Sequence, residues 1–154
     1  MAPGLDGTWM TDDDVPISYE VVHYGNPMNR IYYRAGPDGR WFSDDDSISG
    51  YSTRYADSSG RLVRGASFND PGPDGEWQTD DDVASYYGER HHYDEHGQRT
   101  ATAMVAAGAD GKMFTDDDLV EAFAFSVWRD GMLEYGGTAI SPGPDGEWQT
   151  DDDE

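Results

Sequence analysis

Between five short acidic stretches, the chain is rich in Tyr, Val, Ile, Phe and Thr. These residues favour strands. Each of the four spacers carries a turn signal near its middle: Gly25-Asn26-Pro27, Asp57-Ser58-Ser59-Gly60, Asp94-Glu95-His96-Gly97 and Asp130-Gly131. Asn, Asp, Ser and Gly suit such turns through local hydrogen bonds and tolerance of positive φ. The pattern predicts strands over 17–24, 29–34, 48–55, 61–68, 84–93, 98–106, 120–128 and 132–140. The two faces of these strands do not divide cleanly. Tyr51, Thr53 and Tyr55 share one face, while Leu62, Arg64, Ala66 and Phe68 form a mixed row. Thin, extended packing is expected rather than a deep sandwich core. A helix from Leu119 to Phe125, capped by Asp118, is the competing reading. The equivalent segments hold Ser-Ile-Ser-Gly-Tyr and Val-Ala-Ser-Tyr-Tyr, and a repeated unit should adopt one conformation. The expected class is all-β: tandem hairpins in an elongated antiparallel sheet or β-solenoid-like array.

The acidic stretches are copies of one pattern: GLDGTWMTDDD, GPDGRWFSDDD, GPDGEWQTDDD, GADGKMFTDDD and GPDGEWQTDDD, over 4–14, 36–46, 72–82, 108–118 and 143–153. Their first aspartates, Asp6, Asp38, Asp74, Asp110 and Asp145, are 32, 36, 36 and 35 residues apart. A near-constant period marks one structural unit used repeatedly, so residues 1–154 read as a single repeat array. Trp9, Trp41, Trp77 and Trp148 fill one slot, taken by Met113 in the fourth copy. This slot residue is expected to pack on an adjacent strand and anchor its loop.

Charge sharpens this picture. The formal net charge is -22 on 154 residues, with 10 Lys+Arg against 32 Asp+Glu. Twenty of the 24 Asp lie in the five loops, and the rest of the chain is close to neutral. Binding to a nucleic-acid backbone, which attracts Lys and Arg, is disfavoured. No stretch approaches the roughly 18 apolar residues of a membrane helix, so no membrane insertion is expected. Cys is absent, which removes disulfides and the usual thiolate metal sites.

The loop chemistry points to calcium. Counting the first Asp as position 1, Gly at position 2 allows a tight turn. That turn would direct carbonyls at position 3 (Thr8, Arg40, Glu76, Lys112, Glu147) and position 5 (Met10, Phe42, Gln78, Phe114, Gln149) inward. Carboxylates would complete the shell: Asp6, Asp12, Asp13 and Asp14; Asp38, Asp44, Asp45 and Asp46; Asp74, Asp80, Asp81 and Asp82; Asp110, Asp116, Asp117 and Asp118; Asp145, Asp151, Asp152 and Asp153. Ca²⁺ takes six to eight oxygens in flexible geometry, whereas Mg²⁺ demands a stricter octahedron. A lanthanide would suit the same loop. One Ca²⁺ per loop, up to five, would bring the charge from -22 to about -12. The spacing is not that of an EF-hand, since D-x-[DN]-x-[DN]-G and the terminal Glu are missing.

The loops resemble the GPDGxWxTxDD repeats found in tandem in bacterial surface and secreted proteins, and distantly resemble thrombospondin type 3 calcium loops. The spacers Tyr55-Ala56-Asp57-Ser58-Ser59-Gly60-Arg61-Leu62-Val63 and Tyr93-Asp94-Glu95-His96-Gly97-Gln98-Arg99 are similar to YD (Rhs-type) repeats. The YD resemblance implies strand–turn–strand units in a β-sheet shell or stalk. The first and fourth spacers depart from it, so a closed cage is not expected. The loop resemblance favours the aspartates at positions 8 and 9 as ligands over those at position 7. It also implies an extracellular or cell-surface setting, where millimolar calcium would fill sites of roughly 10⁻⁴–10⁻³ M. The chain reads as part of a longer array, with further repeats as its nearest partners and a surface protein or glycan as a possible target.

His91, His92 and His96 cluster near Asp94 and Glu95. A transition-metal site is conceivable there, but His91 and His92 would face opposite ways on a strand, and a solvated turn is the stronger reading. No nucleophile–base–orienter set stands out, and the carboxylates come in near-identical clusters rather than the unlike pair of a glycosidase. No enzyme is expected. The expected role is a calcium-stiffened structural or adhesive repeat. The alternatives are an acidic interaction module that mimics nucleic-acid charge, and a carbohydrate-binding module. The last would need one repeat to differ from the others at a concave pocket.

Overall fold

The computed structural model describes residues 18–85, 87–148 and 150. Its described residues form nine strands: β1 (Tyr19–His23), β2 (Met28–Arg34), β3 (Ser47–Ala56), β4 (Leu62–Asp70), β5 (Val83–Ala84), β6 (Gly88–Tyr93), β7 (Arg99–Ala106), β8 (Leu119–Arg129) and β9 (Met132–Ala139). All pairings are antiparallel. They build one open sheet in the order β1-β2-β3-β4-β6-β7-β8-β9, with the short β5 also on β4. No helix is long and apolar enough to cross a membrane among the described residues, and the segment 119–125 is strand, not helix.

The predicted strands therefore stand, with one correction. The single strand expected over 84–93 is broken into β5 and β6. Ser85 ends β5, giving both its N–H and its hydroxyl to the Ser67 carbonyl of β4 at 2.8 and 3.2 Å, and β6 begins at Gly88. The hairpin turns fall where Asp, Gly and Asn placed them. Asp57 accepts backbone N–H groups from Ser59 and Arg61 at 2.8 and 3.0 Å, and Asp94 accepts those of His96 and Gln98 at 2.9 and 2.8 Å. Asp130 and Gly131 both take positive φ, the conformation a two-residue hairpin turn requires.

The core is a single stripe across one face. Ile31 lies opposite Tyr51, Ala103 opposite Phe123, Val105 opposite Gly88 and Ala139 opposite Phe123. Along β7 the alternation is clean, with Ala101, Ala103 and Val105 buried and their neighbours partly exposed. Val105 is fully covered, and burial of such a side chain contributes about 1.5–3 kcal/mol. The opposite face carries a mixed set that includes Tyr32, Ser52, Arg54 and Glu89. His91 is buried there, and its Nδ1 lies 2.9 Å from the Thr102 hydroxyl. Burial pushes the His91 imidazole pKa down, chiefly by desolvation. The solvated reading of the histidine cluster thus fits the exposed His92 and His96, but not His91.

What covers the stripe is the acidic loops. Among the described residues, each loop folds back onto the hairpin before it. Trp41 meets Tyr19 edge-on at 5.7 Å, and Tyr19 stacks on Tyr33 at 4.9 Å. Trp77 meets Tyr51 edge-on at 6.2 Å, and Tyr51 stacks on Phe68 at 4.6 Å. Met113 and Trp148 pack on the cluster of Ala101, Ala103, Val105 and Phe123. At Trp41, Trp77, Met113 and Trp148 the slot residue is thus the loop's anchor, as expected from its recurrence, whereas Trp9 lies outside the described residues.

Candidate functional site

Three complete copies of the loop lie within the described residues, at 36–46, 72–82 and 108–118. They share one hydrogen-bond plan. A turn closes from the Gly at position 2 to the first Gly, with N···O of 3.0, 3.3 and 3.1 Å. Gly39, Gly75 and Gly111 take φ near +70° (66°, 72° and 71°), which costs glycine nothing. The first Gly answers a different need. A Cβ on Gly36, Gly72 or Gly108 would lie 2.3, 2.2 or 2.0 Å from the carbonyl oxygen of the position-8 Asp. The loop closes by passing its own backbone over that glycine.

The three carboxylates at positions 1, 8 and 9 then turn inward. Position 1 accepts the N–H of position 3, at 2.7 Å in Asp38 and Asp74 and 2.8 Å in Asp110. Position 8 accepts the N–H of position 1, at 3.1, 3.1 and 3.0 Å for Asp45, Asp81 and Asp117. Position 9 accepts the N–H of position 5, at 2.7, 2.7 and 2.9 Å for Asp46, Asp82 and Asp118. That last bond goes with left-handed backbone at Phe42, Gln78 and Phe114, with φ of 61°, 68° and 69°. Sequence reading had no glycine there to flag it.

At the centre sits the position-6 hydroxyl. Thr79 Oγ1 lies 3.5 Å from Asp74 Oδ1, 3.1 Å from the Glu76 carbonyl, 2.8 Å from Asp81 Oδ1 and 3.3 Å from Asp82 Oδ1. Ser43 and Thr115 are surrounded by the same four positions at 2.7–3.4 Å. A hydroxyl has one proton to donate, so at most one of the four oxygens is served at a time. The short bond to position 8 holds the carboxyls of Asp45, Asp81 and Asp117 below the usual carboxylate range. For Asp46, burial opposes ionisation, but donors from Gly36, Tyr19, Phe42 and Ser43 outweigh it and its pKa is also lowered.

Of the sequence-predicted ligands, the structure brings together positions 1, 3, 8 and 9. Asp44, Asp80 and Asp116 at position 7 lie at the exposed surface instead. Position 5 enters the loop through its N–H. In the fifth copy, Asp145 accepts the Glu147 N–H at 2.8 Å, and the Thr150 hydroxyl donates to the Glu147 carbonyl at 3.2 Å. Gln149, Asp151, Asp152 and Asp153 lie outside the described residues, as do Asp6, Thr8, Met10, Asp12, Asp13 and Asp14. Among the described residues, no three His, Asp or Glu side chains are set with their ligating atoms open to one metal ion. The carboxylates are turned onto backbone N–H groups and the hydroxyl. The donor set is nonetheless all oxygen, as Ca²⁺ requires.

Sequence reading missed how the position-9 carboxylate is latched to the sheet. The Tyr19 hydroxyl donates to Asp46 Oδ2 at 3.0 Å. Tyr51 makes the corresponding bond to Asp82, a buried carboxylate. In the next unit the tyrosine is replaced by Gly88, and Arg90 takes over with a 2.6 Å bond to Asp118, whose side chain is 1% exposed. Tyr stands 13 residues after the first Asp at Tyr19, Tyr51 and Tyr87, but in the third unit Gly88 and not the exposed Tyr87 lies beneath the loop, so the spacing alone does not give the latch.

No family model, curated protein or solved structure matches this chain.

Proposed function

We propose that the protein is a calcium-binding structural or adhesive repeat segment of a bacterial surface or secreted protein, with each loop clasping its hairpin more firmly when a Ca²⁺ is held. One observation carries this reading. In three loops, three carboxylates, each already holding a backbone N–H, and a carbonyl converge within 3.5 Å of one hydroxyl that has a single proton to share among them. Like charges drawn to one point repel, and a hard cation with several oxygen ligands is the group that relieves this. The carboxylates at positions 1, 8 and 9 and the position-3 carbonyl would rotate from their N–H donors toward the ion, so uptake and loop ordering are coupled. Binding to the folded form alone then raises stability by mass action. Further repeats would extend the array, and the setting would be extracellular.

The test is calcium titration followed by calorimetry and thermal melting. Saturable uptake of three to five ions, with a rise in Tm that EDTA reverses, is the expected result. In the Asp74→Ala variant, one site should be lost. Absence of saturable uptake at millimolar calcium would overturn the reading.

A further inference from the structure

The third loop lies over β3–β4 and the fourth over β6–β7, and between them is a hollow of about 460 Å³ bordered by Asn29 of β2 and Tyr51, Thr53 and Tyr55 of β3. That is the size of a site for a small organic ligand, typically about 300–1,000 Å³. We propose that this hollow binds a neutral, polyhydroxylated ring: a pyranose sugar or a glycan end carrying one.

Its walls decide the class of ligand. Tyr55 and Phe114 form an aromatic corner, with centroids 6.1 Å apart and planes at 75°. The Arg64 guanidinium sits over both rings, at 4.2 and 5.0 Å. Arg64 lines the depression on the other side of Tyr55 and not this hollow. A cation therefore already occupies the outer side of the corner, and the inner side is left as apolar surface. At the mouth, Lys112 Nζ reaches across from the fourth loop to Asp80 Oδ2 of the third, at 3.1 Å. Donor and acceptor thus stand side by side, as a pair of neighbouring hydroxyls would require. The Asn29 side chain lines the wall, and its buried oxygen has no hydrogen-bond partner.

Other ligand classes fit less well. An anion would face Asp80 and Asp82 in a chain of net charge -22. A fully apolar ligand would set the polar part of the wall, Thr53 and Gln78 among it, against hydrocarbon. A quaternary cation on the inner face would meet rings whose π-electrons already serve Arg64 on the outer face, and would be repelled by that charge across them. A pyranose offers apolar C–H edges to the corner and hydroxyls to the rim.

The hollow also lies where the repeat departs from itself. In the fourth loop Met113 replaces the tryptophan and seats against Gly88, where a Cβ would lie 2.3 Å from its Cε. Its neighbour Phe114 then reaches Tyr55, while the equivalent Gln78 of the third loop lines the hollow from the other side.

The experiment is saturation-transfer NMR on the whole chain, run both with excess CaCl₂ and with EDTA. The probes are methyl glycosides of glucose, mannose, galactose and N-acetylglucosamine, with tetramethylammonium chloride and inorganic phosphate as charged controls. The expected result is transfer to ring C–H protons of at least one glycoside, saturable below about 10 mM. Phe114→Ala and Lys112→Gln should each weaken that binding about tenfold or more. Leu133→Ala, on the distant β9, should leave it unchanged. Circular dichroism of each variant checks the fold, and the exposed Lys112 keeps the test valid if Phe114→Ala unfolds. The proposal is overturned if no glycoside saturates in either condition, if Lys112→Gln leaves binding unchanged, or if a charged control binds more tightly. Because both calcium conditions are measured, failure here is distinct from failure of ion uptake.

Discussion

The third and fourth loops share seven of their eleven residues and solve the same docking problem by different means. Over the hairpin β3–β4, one residue does two jobs. The Tyr51 ring fills the space under Trp77, and its hydroxyl bonds Asp82. Over the hairpin β6–β7, Gly88 can do neither. The filling passes to Met113, which enters the room Gly88 leaves, and the bond passes to Arg90, two residues along the same strand face. What the repeat preserves is therefore an apolar plug in the slot and a donor for the position-9 carboxylate, rather than any particular residue beneath the loop.

Removing that carboxylate should separate the two solutions most clearly. Asp118→Ala strands a partly buried guanidinium and the Phe114 N–H, for an expected loss of about 3 kcal/mol. Asp82→Ala leaves only neutral donors, Tyr51 and the Gln78 N–H, for about 2 kcal/mol. Urea denaturation measures both. Equal losses would mean that the charge on Arg90 contributes nothing beyond a neutral donor.

The plug gives a smaller effect. Gly88→Ala places a Cβ against the flexible end of Met113 and should destabilise by about 1–2 kcal/mol. In a Met113→Ala background the same change should cost less, with a coupling of about 1 kcal/mol in a double-mutant cycle. Additive losses would show that Met113 does not occupy the room left by Gly88.

The finest distinction is in pH. Burial, then the bond to Asp82, pushes the Tyr51 hydroxyl pKa well up. A raised value gives stability that is fully present below about pH 10, the unfolded tyrosine's value, and lost as pH rises toward the folded one. The lowered Asp81 and Asp117 act oppositely. Their contribution is present above about pH 3.9 and lost as pH falls through the folded values. The acid limb is common to both loops, whereas the alkaline limb belongs to the tyrosine latch. Amide exchange followed from pH 8 to 10.5 should therefore loosen 72–82 before 108–118. Tyr51→Phe should abolish that order.

Much of this was legible in the chain. Hairpin turns depend on local chemistry, so Asp57, Asp94 and Asp130-Gly131 announced them. The recurrence of Trp in one slot announced a packing role. The missing parts depend on contacts distant in sequence. Left-handed backbone at Phe42, Gln78 and Phe114 comes with a bond to a carboxylate four residues on, not from any preference of those residues. The partnership of Met113 with Gly88 spans 25 positions, and so the odd residue in the slot was visible while its counterpart was not. The break between β5 and β6 is marked in the sequence only by Ser85, and its bonds to the Ser67 carbonyl join residues 18 positions apart. The burial of His91 depends on which face of the sheet the loops cover, and strand alternation alone does not say.

The order of strands also has a mechanical consequence. β1 and β9 lie at opposite edges of one sheet, so tension applied between those edges runs across the strands. Such a load peels ladders apart one at a time instead of shearing many bonds together. The loops are the elements that resist it, because each is fastened to the hairpin behind it while leading to the one ahead. Under force, the assembly would behave as a chain of small buckles, each releasing its own length of slack before the next takes the strain.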